Sequence, residues 1–552
     1  MIEVKNSLFL GLIIFFLSTV LFTSCDDNST SSAFTGVRVI DNSFSPTVVR
    51  IHEGGKVRFK NWGNNPHNVI ATDESWGSYD EIDKNSYIDV TYQNEGLYKY
   101  LCSFHAPPDG KWGMVGSVIV GDIEYESYTN FQKEDVVKKF SGVVRHVPKD
   151  YETIQDAVNS SNPGDLILIK PGIYYEEVVV NVPSITIRGW ERNTTIIDGE
   201  FERGNGIQVV GVDGVAIENL TARNALLNGF YWATSEGYRA SYLTAYNNGD
   251  YGIYAFDSVD GVIEHSYASG SPDAGFYIGQ CYPCDAIVNN VISENNGLGY
   301  SGTNSGGSLY IINSIFRNNK GGIVPNTLDS ELLPPERETY IIGNLIESNN
   351  NINAPATNST YLSFGNGIVI AGGNNNFIKN NVIVDHDTYG IIITASLDVN
   401  YWPAHGNIVR ENLIMDSRRA DIALSGVSNL GNCFEGNSFN ASIPPGLQTL
   451  NGCGSSYIPL GSDMSALWST VARLVLANSG EYKQGDWKTF DYPPAQPNMP
   501  KMQKLIEKGY IIDGISPGFY FTSIKPAVNV FKRHQKDLKN IELPEDARKY
   551  LN

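Results

Sequence analysis

The sequence predicts an all-β protein in two parts, a small β-sandwich followed by a stacked parallel β solenoid, with a short mixed or helical extension at its end. Three observations predict it. Between Val37 and Val120, short β-branched and aromatic runs alternate with turn residues, as in Val48-Val49-Arg50-Ile51, Lys56-Val57-Arg58-Phe59 and Val115 to Val120. Farther on the chain repeats itself: Gly206, Gly229, Gly252 and Gly275 lie 23 residues apart, and each opens a phrase of the form Gly-apolar-X-apolar. Finally, only 18 % of the 552 residues are charged while 54 are glycine, the profile of a turn-rich β protein. The formal charge of −20 argues against nucleic acid or anionic lipid as a partner.

Within the sandwich segment stand His67, Cys102, His105 and Met114. One thiolate and two neutral imidazoles hold copper in a near-trigonal arrangement with a weak thioether on the axis. That donor set suits both oxidation states and lowers the cost of passing one electron. The bland alternative makes Cys102 and Met114 core residues and His67 a turn cap. All four in this order inside a β-sandwich favour a mononuclear type 1 copper site, and a dinuclear site lacks its second cysteine.

At Pro66-His67-Asn68-Val69, at Tyr98 to His105 and at Gly113-Met114-Val115-Gly116, the segment resembles the plastocyanin/azurin-like cupredoxins. The resemblance implies His67, Cys102, His105 and Met114 as the copper ligands. Here the loop from His105 to Met114 is longer than the plastocyanin pattern, by the turn Ala106-Pro107-Pro108-Asp109-Gly110-Lys111.

The chain opens with Lys5 and an apolar run from Leu8 to Phe22, too short for a comfortable membrane span and laid out as a secretory signal. Leu21-Phe22-Thr23-Ser24-Cys25 resembles a bacterial lipobox, with Phe22 where leucine is usual. The resemblance implies lipid on Cys25, and hence a lipid-anchored lipoprotein of the bacterial cell envelope, periplasmic or surface-facing. Asp26 to Ser32 reads as a flexible tether. Export places the chain in an oxidising compartment, so the pairs Cys281/Cys284 and Cys433/Cys453 suggest two disulfides. The Cys281-Tyr282-Pro283-Cys284 spacing is also that of a redox motif or a zinc half-site.

The glycine phrase returns at Gly322, Gly367 and Gly390. A second phrase places an asparagine before a short apolar strand, at Asn219, Asn290, Asn313, Asn344, Asn381 and Asn412. A unit of this length is one coil of a parallel β-helix, and coils about 4.8 Å apart let the asparagines form an amide ladder. Thr153 to Val158 reads as a capping helix, and Gly164 to Tyr174 as the first strand and turn. This passage and the repeats resemble the pectin-lyase-like right-handed β-helix superfamily, over about residues 145 to 453.

Along the glycine phrase the second position points outward, giving Gln208, Tyr231, Tyr254, Tyr277, Val324, Val369 and Ile392. Tyr231, Tyr254 and Tyr277 form an aromatic strip suited to stacking on a glycan. Asp250 and Asp273, 23 apart, could bind calcium or split their pKa values for acid/base work. Asp250, Asp273, Tyr277, His386 and Asp387 are therefore the catalytic candidates, although turn aspartates commonly cap backbone amides and no family catalytic motif is intact. The outward valines suggest that this face is covered. Met464, Leu467, Trp468, Val471, Leu474 and Val475, at helical spacing, could pack along or cap the solenoid, or the cupredoxin docks there.

The expected organisation is a lipoprotein signal peptide at 1–24, a tether at 25–35, the copper domain at 36–122, a linker at 123–145, the β-helix at 146–453 and an extension at 454–552. The expected function is an exported copper protein for one-electron transfer or copper handling, whose β-helix binds a partner or polysaccharide. One alternative is a polysaccharide lyase or uronan epimerase with an accessory copper domain; another is a copper chaperone or maturation factor for a periplasmic metalloenzyme. The partner is then a redox or copper-exchange protein.

Overall fold

A computed structural model describes residues 34–40, 43–63, 65–73, 76–106, 114–121, 123, 142–426, 430–454, 468, 472–473, 475–476, 479, 482–510, 512 and 527–551. The chain is mostly β, a two-sheet sandwich followed by a parallel β-helix. Cys25, the apolar run before it and the tether up to Ala33 lie outside the described residues.

The sandwich is made of β1 (Phe34–Ile40), β2 (Ser43–Ser45), β3 (Val48–Ile51), β4 (Lys56–Asn61), β5 (His67–Ala71), β6 (Gly77–Ile82), β7 (Tyr87–Thr91), β8 (Gly96–Leu101) and β9 (Val115–Val120). One sheet has the order β2-β1-β4-β7, the other β3-β9-β8-β5-β6. In β4 alternate residues Val57, Phe59 and Asn61 turn inward, the period of two that a half-buried strand requires. Phe44, Phe59 and Tyr100 meet edge to face at 4.9 to 6.4 Å in the core, each pair worth about 0.5–1.5 kcal/mol beyond its burial.

The solenoid has three parallel sheets of 12, 10 and 11 strands. The first runs from Val144–Val147 to Cys433–Glu435, the second from Gly172–Tyr174 to Leu413–Ser417 and the third from Val178–Val180 to Ser442–Ile443. It thus opens one strand before the predicted Gly164 to Tyr174, with Val144–Val147 paired to Leu166–Ile169. Helix α1 (Ile154–Asn159) buries Ile154, Ala157 and Val158 in the solenoid core, and Thr153 caps it by accepting from Asp156 N at 3.0 Å. Without this cover the first coil would leave its apolar interior in water.

Register explains the repeats. Ile207, Phe230, Ile253 and Phe276 pair one above the next, so each row inherits one residue type. In the glycine row, a Cβ on Gly206, Gly229 or Gly252 would lie 2.5, 2.8 and 2.6 Å from the following glycine's carbonyl oxygen. The row also contains Gly299, whose neighbour Tyr300 pairs with Phe276 and Ile323.

The asparagine phrase divides into two rows one residue apart. Asn219, Asn290, Asn313 and Asn380 hold φ of +56°, +54°, +51° and +54°, the left-handed region that asparagine tolerates best after glycine. Asn344, Asn381, Asn412 and Asn437 point inward as a ladder: from Asn381 onward each Oδ1 accepts from the preceding member's backbone N at 3.0 Å and from its Nδ2 at 2.9 to 3.0 Å. A second interior ladder runs Asn296, Asn319, Asn349 and ends on His386, whose Nδ1 accepts from Asn349 N at 3.3 Å.

The C-terminal extension is a strap along the outer faces of the first two sheets. Left-handed asparagines anchor it, with Asn219 Oδ1 accepting from Met499 N at 2.7 Å and Asn313 Oδ1 from Glu542 N at 2.8 Å. Helix α2 (Pro500–Glu507) packs Met502 and Leu505 on Leu166, Leu168 and Trp190; helix α3 (Val530–His534) packs Val530 and Phe531 on Val262, Ile287 and Ile312. Of the helix expected over 464–475, Trp468, Ala472, Arg473 and Val475 are described, and all are helical.

His386 gives the first expected outcome. Burial holds its imidazole pKa down to about 4, whereas the unfolded chain binds that proton near 6.5. The unfolded state therefore takes up more protons in this window, and the contribution is full above about pH 6.5 and lost as pH falls toward 4. At about 1.4 kcal/mol per unit the loss is at most about 3.5 kcal/mol. His386→Asn, which restores the ladder residue, should flatten the fall in solenoid stability between pH 6.5 and 4 measured by chemical denaturation; an unchanged slope contradicts the assignment.

Candidate metal centre and the face that holds it

His67 begins β5, Cys102 follows β8 and Met114 precedes β9, so one end of the sandwich gathers residues far apart in the chain. Cys102 Sγ lies 3.7 Å from His67 Nδ1 and 3.6 Å from His105 Nδ1. These three are the one group of metal-ligating side chains among the described residues with ligand atoms all within 4.8 Å of one another. A single ion spans such separations, given bonds of about 2.3 Å to sulfur and 2.0 Å to nitrogen. Burial pushes the Cys102 thiol pKa up, but hydrogen bonds from His105, His67 and the Asn68 and Phe104 amides outweigh it and bring the pKa down to about 6. A thiol that ionises this readily is suited to be a ligand.

Met114 closes the site through its backbone. Cys102 N donates to Met114 O at 3.0 Å and Met114 N to His105 O at 3.1 Å, with the Met114 side chain buried. Residues 107–113 of the long loop lie outside the described residues. Asn68 ties the two ligand loops together, its Nδ2 donating to Ser103 Oγ and its Oδ1 accepting from Ser103 N, both at 2.9 Å. Sequence reading passed over Asn68, although it sits beside His67. His67 is fully buried, whereas His105 is partly open and its neighbour Phe104 is 50 % exposed.

The outward tyrosines do not form an open strip. Tyr231, Tyr254 and Tyr277 are 4 %, 9 % and 1 % exposed, in one apolar cluster with Val48 and Ile119 of the sandwich and Leu332 of a solenoid loop. Their rings follow one another at 5.3 and 4.6 Å. Thr47 and Tyr231 share a 2.6 Å hydrogen bond between hydroxyls, and Arg38 donates to Asp250 at 2.5 Å. The sandwich therefore sits on the face expected to stack on sugars, and a glycan has no access to these rings.

The catalytic candidates do not form one open site: Asp250 and Asp273 are neighbours, whereas His386 lies apart in an interior ladder. Asp250, the expected calcium partner of Asp273, takes the Arg38 guanidinium instead. Asp273 is held up to about pKa 7 by burial and by Asp250, against the pull of Arg38. Tyr277 donates to both oxygens of Glu331, at 2.9 and 2.7 Å, and burial raises its pKa well above the usual value. Glu331 lies in a loop whose presence the 45-residue gap between Gly322 and Gly367 signals. His386 belongs to the interior ladder, pressed against Gly367, where a Cβ would lie 2.8 Å from Nε2. Asp387 alone of the five is exposed. Cys281 is bonded to Cys284, and Cys433 to Cys453; the first pair is therefore no zinc half-site in this fold.

A two-sheet sandwich carrying a thiolate and two imidazoles at one end defines a cupredoxin domain, here followed by a right-handed β-helix. A family model described as copper binding proteins, plastocyanin/azurin family, matches residues 34–121, and one described as right handed beta helix region matches residues 185–333. Among solved structures the chain is similar to the novel purple cupredoxin from Nitrosopumilus maritimus, at 25 % identity over 16 % of this chain and 99 % of that one, with a TM-score of 0.14. It is similar to the A-module of the mannuronan C-5 epimerase AlgE6 of Azotobacter vinelandii, at 16 % identity over 52 % of this chain and 85 % of that one, with a TM-score of 0.36. It is also similar to the Cu-containing nitrite reductase NirK from Thermus scotoductus SA-01, at 21 % identity over 18 % of this chain and 25 % of that one, with a TM-score of 0.16. Comparison with curated proteins gives no match.

Asn68→Ala removes both bonds between the ligand loops, and such outer partners typically carry 10–100-fold in metal affinity. Competition with a Cu(I) chelator should show at least a ~10-fold loss for this variant with the sandwich still folded; wild-type affinity would remove Asn68 from the site.

Proposed function

We propose that this chain is a copper protein of the bacterial envelope that passes single electrons through a type 1 site, with the β-helix serving as the rigid mount for that site. The reading is carried by the convergence of His67, Cys102 and His105 at one end of the sandwich. Copper held by these residues and Met114 would supply a one-electron couple. The protein's share is to fix the ligands in advance. Asn68 braces the loops, the backbone bonds between Cys102, His105 and Met114 close them, and buried His67 keeps water from the inner side. Pre-set ligands mean little rearrangement between oxidation states, which favours electron exchange over copper release.

Half-open His105 and exposed Phe104 form the natural contact for a redox partner, an apolar edge beside a ligand ring. Export and lipid attachment at Cys25 complete the proposal, supported by the lipobox resemblance of Leu21 to Cys25. In this arrangement the tether holds the protein at a membrane while the solenoid keeps the copper domain oriented. A lyase or epimerase reading draws no support from a tyrosine strip enclosed beneath another domain.

Loading the full chain with Cu(II) should give a thiolate-to-copper charge-transfer band and a type 1 EPR signal, both lost in Cys102→Ser. A wild-type spectrum without that band defeats the assignment, and transfer of Cu(I) to an acceptor faster than electron exchange would make the protein a copper donor.

A further inference from the structure

Past Tyr277 the outward row of the third sheet changes character, continuing as Ser301 and Val324 and then as Val369 and Ile392. A cavity of about 280 Å3 lies on this stretch. Its floor is apolar: Leu298, Val324, Val369 and Ile392 belong to one hydrophobic cluster. Asp273 and Glu331 line it at the end next to the tyrosines, and both are half-buried.

These two acids have little to answer their charge. Arg38 is held by Asp250 at 2.5 Å and reaches Asp273 only through its field. Asp273 accepts from the Tyr251 hydroxyl, and both oxygens of Glu331 accept from Tyr277. No other cation among the described residues acts on either carboxyl. Burial pushes the Glu331 carboxyl up to about 8, with Tyr277 opposing the rise and Asp273 adding to it. Arg473 is the one cation lining the cavity among the described residues. It is spent at the other end on the Leu362 and Phe364 carbonyls and the Thr388 hydroxyl, at 2.6 to 3.2 Å. A carboxyl buried without a cation holds its proton until a positive group arrives.

Shape and chemistry together select one class of occupant. An anionic uronate would meet two acids. A lone metal ion needs ligand oxygens gathered around it, and among the described residues no acidic trio brings its oxygens within 4.8 Å. An ammonium donates several hydrogen bonds from one point, and a carbon chain behind it matches the aliphatic floor. We propose that this trough binds a small organic cation, with a primary ammonium at Asp273 and Glu331 and an extended apolar body along Leu298, Val324, Val369 and Ile392. The site stands apart from the copper centre and does not depend on it.

The test titrates the full chain by calorimetry with n-hexylamine, and with 1-hexanol and cellobiose as neutral probes. Saturable binding of n-hexylamine is expected, with 1-hexanol at least ~10-fold weaker because it lacks the charge. The amine keeps its proton from about pH 6 to about pH 8.5, so the acids release theirs when it binds. Affinity should therefore rise across that range, and the heat of binding should change with the ionisation enthalpy of the buffer. Glu331→Gln keeps an acceptor for Tyr277 without the charge. It should weaken n-hexylamine at least ~10-fold, reduce its pH dependence and leave 1-hexanol unchanged. Val369→Trp fills the floor and should weaken amine and alcohol alike. Equal affinity for amine and alcohol, preference for cellobiose, no saturable binding, or wild-type amine affinity in either variant overturns the proposal.

Discussion

In-register stacking of parallel coils is the constraint on which the rest of the structure depends. Because each strand pairs with its equivalent on the next coil, every row must tolerate its own side chain repeated about 4.8 Å away. Glycine fills the row where the next carbonyl leaves no space, asparagine fills both the left-handed row and the interior ladders, and tyrosine fills part of the outward row of the third sheet. The interior ladders satisfy polar groups that would otherwise be buried without partners. The tyrosine row has a different consequence. Repetition makes it a broad aromatic surface, and such a surface in water calls for a cover.

The cover is the cupredoxin sandwich. Val48 and Ile119 meet the tyrosines, Thr47 bonds Tyr231, and Arg38 reaches Asp250. Full burial of an aromatic side chain is worth roughly 1.5–3 kcal/mol, so several together oppose the entropy of holding two domains in one orientation. Val115, directly after Met114, is partly buried against the same cluster. The metal end of the sandwich is thereby mechanically joined to the solenoid, while His105 and Phe104 keep an open edge.

The His67, Cys102 and His105 cluster was legible because metal-binding residue types stand there in short-range order, and the coils because a 23-residue period survives any shift in strand limits. Errors arose where one residue type does two jobs. Asparagine suits both a left-handed turn and an interior amide ladder, so Asn219 and Asn344 read as one row although they stand one residue apart. Alternation correctly turned Tyr231, Tyr254 and Tyr277 out of the solenoid, but outward is not exposed. Their partners Thr47 and Arg38 lie 184 and 212 residues from Tyr231 and Asp250, and no local pattern announces them. His386 looked catalytic because a histidine between aspartates suggests proton transfer, whereas the ladder it terminates becomes visible only once the coils are stacked.

Copper at Cys102 and a sandwich fixed relative to the solenoid can be tested together. Pulsed EPR between Cu(II) and a nitroxide at exposed Ser160→Cys, in a chain with Cys25→Ser, measures both at once. A single narrow distance distribution is the expected result, broadened by Tyr231→Ala with Arg38→Ala. A broad distribution in the otherwise wild-type chain, or no copper-to-nitroxide coupling, would contradict it.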